Sequence, residues 1–133
     1  MRISAVAAGW LTDLGLSLLF FMVLAAIVGR EGASAEDVAR RMNGSVELTV
    51  TTLIVGLAFT GIGGYVAAAL AKQQHIQHGV GVGLLSLGLG LSTLVAAGPG
   101  EQPSWVTLAG LVFTVPFAAF GGYYRRQTET KPA

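Results

Sequence analysis

Cysteine is absent from the 133 residues, which excludes disulfides, thiolate metal sites and cysteine nucleophiles and leaves the redox compartment open. Charge is scarce too: 11% of the residues are charged, against roughly 25% in soluble globular domains. The net charge of +1 is too small to point to a nucleic-acid partner. No Ser-His-Asp pattern, HExxH pair or Walker-type loop appears. The run from Gly79 to Gly90 contains GxGxG but lies inside an apolar stretch and follows no strand, so it reads as packing. The chain is expected to be non-enzymatic and to hold no cofactor or metal.

What the chain does have is apolar length. Hydrophobic residues make up 53% of it, and mean hydropathy is +0.66. Four apolar stretches run over about 3–28, 48–71, 79–97 and 105–124, each near the ~20 residues that cross a ~30 Å hydrocarbon core. Backbone polar groups in lipid must be satisfied within the segment. The expectation is an all-α integral membrane protein, a single four-transmembrane-helix domain over 1–133. Ala33-Ser34-Ala35 looks like a signal-peptide cleavage site, but the run before it exceeds the 7–15 residues of a typical h-region, so the first span is expected to be retained.

The connectors add detail. In the first, Ser34 and Asp37 resemble a capping box, Arg40 and Arg41 suit a last turn, and Gly44 can close it. This predicts a short amphipathic helix resting Val38 and Met42 on the bundle or the lipid. Lys72 to His78 is a tight hairpin, and Pro99, Gly100 and Pro103 form the next turn, with Trp105 at an interface. The tail 125–133 is polar and expected to fray. An N-terminus in the cytoplasm puts Arg2, Lys72, Arg125, Arg126 and Lys131 inside, against Arg30, Arg40 and Arg41 outside. That bias favours both termini cytoplasmic.

Spans two and four carry a repeat. Phe59 to Tyr65 (FTGIGGY) matches Phe117 to Tyr123 (FAAFGGY), and Leu11 to Leu16 matches Leu84 to Leu89 more weakly. A tandem duplication of a helical hairpin accounts for both, the longer first connector absorbing the difference in offset. Small residues form stripes that include Gly56 and Gly64, then Gly79, Gly83 and Gly90, then Gly110 and Gly122. Small-xxx-small stripes let helix backbones approach where lipid offers no hydrophobic drive. They serve the chain's own bundle or a homo-oligomer. Pro116 removes a donor within span four and predicts a kink, with Thr114 nearby to satisfy local groups.

Asp13 is the one ionisable residue well inside a span, and such a carboxylate marks a functional site by default. At 1.5 Å per residue it lies roughly 22 Å from the Val28 end. That depth is shared with the two Gly-Gly-Tyr elements, so Ser17, Tyr65, Ser86 and Tyr123 are its candidate partners. Three roles are open: interhelical glue, a proton or cation site, or a shallow Asp13 if Trp10 marks the interface. His75 and His78 share one helix end without an accompanying carboxylate or cysteine, which argues against a metal or haem site. With Arg2, Lys72, Arg125 and Arg126 they form a basic collar suited to anionic lipid headgroups.

The stretch Gly63-Gly64-Tyr65-Val66-Ala67-Ala68, then Lys72, His78-Gly79 and Gly83-Leu84-Leu85, with the closing Gly121-Gly122-Tyr123-Tyr124-Arg125-Arg126, resembles a broad set of small four-span bacterial membrane proteins. The resemblance implies a bacterial inner-membrane location and this topology, and transfers no activity. Two functions fit. One is a structural or accessory subunit packing against other membrane subunits or itself; the other is a small transporter or channel component that uses Asp13.

Overall fold

The computed structural model describes residues 2–29, 34–97 and 104–130, which form five helices: α1 Ile3–Val28, α2 Ala35–Gly44, α3 Val46–Ala71, α4 His75–Ala97 and α5 Ser104–Thr130. Helices α1, α3, α4 and α5 are long and apolar enough to cross a membrane. The chain is thus an all-α bundle of four spans with one short connecting helix. The expected turn at Pro99, Gly100 and Pro103 lies outside the described residues.

Local chemistry sets the ends. Ser34 caps α2 by accepting from the Asp37 N–H, while the Asp37 carboxylate accepts from the Ser34 N–H, a reciprocal capping box. Gly44 does not close this helix; it is the last helical residue, and Ser45 forms the break. Ser45 ends α2 and also starts α3, accepting from the Leu48 N–H. Arg41 reaches back to the Val28 carbonyl at 3.4 Å, tying α2 to the end of α1. The side chains of Val38 and Met42 lie outside the described positions.

Two corrections come at the opposite end. The third span starts at His75 rather than Gly79, so the hairpin turn shrinks to 72–74. It closes so tightly because Lys72 and Gln74 adopt left-handed backbone, with φ of 59° and 53°. The fourth span does not end at Tyr124. Helix α5 continues to Thr130, held by the Arg125–Glu129 ion pair at 2.7 Å and by His75, whose Nε2 lies 2.9 Å from Glu129. The predicted frayed tail is therefore helical as far as 130. Helix α5 also runs unbroken through Pro116, with the Thr114 hydroxyl bonded to the Gly110 carbonyl.

Helices α3 and α4 form the middle of the bundle, α1 lies on one side of them and α5 on the other, and α1 and α5 do not touch. Both repeated Gly-Gly pairs bridge two helices. Gly63 faces the Gly9 carbonyl on α1 and Gly64 the Ala118 carbonyl on α5; Gly121 faces Gly61 on α3 and Gly122 the His75 carbonyl on α4. The two hairpins are not placed equivalently, since α3 meets α4 while their counterparts α5 and α1 stay apart.

The packing is uneven along the spans. Every glycine pressed against a neighbouring backbone (Gly9, Gly63, Gly64, Gly79, Gly83, Gly121 and Gly122) lies in the half that contains the 72–74 turn. Toward α2 contacts are made by larger side chains, Thr49 and Val106 being buried there. A Cβ on Gly15, Gly56 or Gly88 would meet nothing within 4 Å, and residues 91–96 of α4 are all exposed. Gly56 is thus not a contact glycine here, and Gly90 and Gly110 would meet only Leu111 at 3.6 Å and Leu53 at 3.7 Å.

Candidate functional site

Asp13 sits at the edge of the half packed through glycines, and it is 5% exposed. Gly9 one turn before it and Gly63 beside it let α1 and α3 approach; a Cβ on Gly63 would lie 3.0 Å from the Asp13 Cβ. The neighbouring helices supply hydroxyls. Ser86 on α4 donates to Oδ2 at 2.6 Å, within the range of charge-assisted O–H···O bonds. Thr60 on α3 lies 3.2 Å from Oδ1 and 3.3 Å from Oδ2. Ser17, one turn along α1, contributes a third hydroxyl.

Thr60 has a choice to make. Its hydroxyl also lies 3.2 Å from the Gly56 carbonyl, and it has one hydrogen to give. When that hydrogen goes to Gly56, the Thr60 oxygen is left as an acceptor facing Asp13. The cluster can therefore satisfy Asp13 either as a carboxylate accepting from Thr60 or as an acid donating to it. Ser86 and Ser17 are where the sequence placed them. Tyr65 and Tyr123 are not. Tyr65 packs on Tyr124 with the Arg125 guanidinium 5.9 Å from its ring centroid, and the Tyr123 hydroxyl accepts from Gln127. Tyr123 is excluded by topology, because α5 never meets α1.

Trp10 turns toward the bundle. Its ring packs on Val6, Ala67 and Val82, and its indole N–H is buried without a partner. Asp13 is accordingly buried inside the bundle, 5% exposed.

The collar residues separate into three groups. His78 is 2% exposed, with Nδ1 3.0 Å from the Gln74 carbonyl and Nε2 2.9 Å from the Arg2 N–H. A carbonyl only accepts and a backbone N–H only donates, so Nδ1 carries the proton and Nε2 the lone pair. His78 is a clamp on the start of α1. His75 faces two acceptors, the Ala68 carbonyl at 3.0 Å and Glu129 at 2.9 Å. With Arg125, also paired to Glu129, it ties α3, α4 and α5 together. Arg126 is exposed and engaged, while Arg2 and Lys72 are exposed. No protein-family model, no curated protein and no solved structure matches the chain.

Proposed function

We propose that the chain is a non-enzymatic subunit of a bacterial inner membrane, with both termini cytoplasmic. It packs through its helix faces against other membrane subunits or a second copy of itself, and its basic end contacts anionic lipid headgroups. The observation that carries this reading is the closure around Asp13. Asp13 is 5% exposed, its carboxyl group is hydrogen-bonded by residues of two other helices, and it is backed by Gly63. Such a group fastens helices together. An intramembrane hydrogen bond of this kind contributes roughly 0.6–2 kcal/mol.

Native purification in mild detergent tests the reading, the expected result being a second membrane chain or a second copy in stable association. Asp13→Asn keeps shape and hydrogen bonding and should preserve that association, while Asp13→Leu should weaken it. A small transporter or channel component working through Asp13 is the competing outcome. Proton or cation flux in reconstituted vesicles that disappears in the Asn variant would overturn the subunit reading.

A further inference from the structure

Between the start of α1 and the α3–α4 turn lies a cavity of about 370 Å³, lined by Arg2, Ala71, Lys72, Gln73, Gln74 and His78. Among the described residues no carboxylate lines it. We propose that it binds a phosphate group, carried by an anionic phospholipid or free in solution. This deepens the proposed contact with anionic lipid and rests on that placement of the turn at the membrane surface.

Three observations converge on the phosphate. First, the cations at this end of the bundle are divided. Arg125 and His75 are held by Glu129, and both His78 nitrogens are engaged by backbone groups. Arg2 and Lys72 make no ion pair among the described residues, and both line the cavity. Second, α1 starts beside the cavity, its N-cap residue Arg2 lining it without a side-chain cap, so the positive pole of the helix lies close by. His78 holds this start in place by accepting the Arg2 N–H.

Third, the turn presents polar side chains at positions that favour glycine. Among the described residues, Lys72 and Gln74 are the two non-glycine residues with positive φ. Lys72 and Gln74 both line the cavity, as does Gln73 between them. Ammonium, guanidinium and amide N–H groups all donate, and a phosphate oxygen accepts from each. The volume corresponds to roughly a dozen waters, room for a phosphate and its ester arm.

The test uses the full chain in mild detergent, with bound phosphatidylglycerol and phosphatidylcholine measured by native mass spectrometry for wild type, Arg2→Gln and Lys72→Asn. Asparagine tolerates left-handed backbone, so Lys72→Asn removes the charge without straining the turn. Wild type should retain phosphatidylglycerol over phosphatidylcholine. Each variant should lose about five-fold of that affinity, the equivalent of about 1 kcal/mol per basic residue at the surface, whereas Arg40→Gln on α2 should lose none. Inorganic phosphate at millimolar concentration forms the second arm. If it fails to displace the lipid, the phosphate is a headgroup; if it displaces the lipid in wild type and binds more weakly to both variants, the site takes soluble phosphate. Equal retention of the two lipids, or a preference that survives both substitutions, with phosphate binding unchanged, would overturn the site. Subunit association can persist in that case, so the two readings fail separately.

Discussion

The Ser86 hydroxyl donates to Asp13 Oδ2 at 2.6 Å across 73 positions of sequence, joining α4 to α1. Thr60 reaches the same carboxyl group but has the Gly56 carbonyl as a second acceptor. Ser86→Ala should therefore destabilise the bundle more than Thr60→Val, within the roughly 0.6–1.7 kcal/mol range of intramembrane hydrogen bonds. A double-mutant cycle with Asp13→Asn, read by steric trapping or detergent melting, measures the coupling; equal costs for Ser86 and Thr60 would contradict the shared-hydrogen arrangement.

The glycines divide into two classes. A Cβ at Gly121 would run into the Gly61 carbonyl, and one at Gly64 into the Ala118 carbonyl. Gly121→Ala and Gly64→Ala should each cost about 1–3 kcal/mol, because backbone rather than a flexible side chain must give way. Gly56→Ala and Gly88→Ala meet open space and should leave stability unchanged or slightly raised. Thermal melts of the four variants in one detergent check the contrast.

Glu129 holds the end of α5 against the bundle through His75 and Arg125. Removing it as Glu129→Ala should release the last turn and speed tryptic cleavage at Arg125 and Arg126 several-fold, with the melting temperature little changed. Unaltered cleavage would mean that the helix holds itself.

Helix α2 carries a pH response outside the spans. Hydrogen bonds from the Ser34 hydroxyl and then the Ser34 backbone hold the Asp37 carboxyl below the usual carboxylate range. A depressed folded value stabilises the capped helix above the unfolded value, and that contribution is lost as pH falls through the folded one. The Ser34 and Asp37 amide resonances should titrate together at that acid edge. In Ser34→Ala the Asp37 titration should move up toward the ordinary range.

Much of the fold was legible because lipid enforces simple rules. Apolar length marked α1 within its observed bounds, and Ser34 with Asp37 marked α2. The misread boundaries lie where polar residues continue a helix: His75 to His78 and Arg125 to Thr130 look like solvent-facing connector and tail. Only the contact of His75 with Glu129 shows them ordering each other. At the site, depth counting found Ser86 but not Thr60. Thr60 lies 11 residues in from Ala71 and Asp13 10 residues in from Ile3, so counting from the turn end would have paired them. The tyrosines offer hydroxyls at the right depth and share the repeat, but neither bonds Asp13. Which face of α5 meets which helix is a property of tertiary packing that periodicity does not carry.

Because α1 and α5 never meet, the bundle has two seams rather than one core. One closes on Gly9 and Gly63, the other on Gly79, Ala118 and Gly121, and each has α3 or α4 for a wall. Defects at opposite ends of the two seams, more than about 7–10 Å apart, should add, whereas those at neighbours such as Gly63 and Gly64 share a stretch of α3 backbone and should couple. A lesion in the α4–α5 seam leaves the hydroxyls around Asp13 in place, and the chain can lose α5's grip without losing the junction that binds α1.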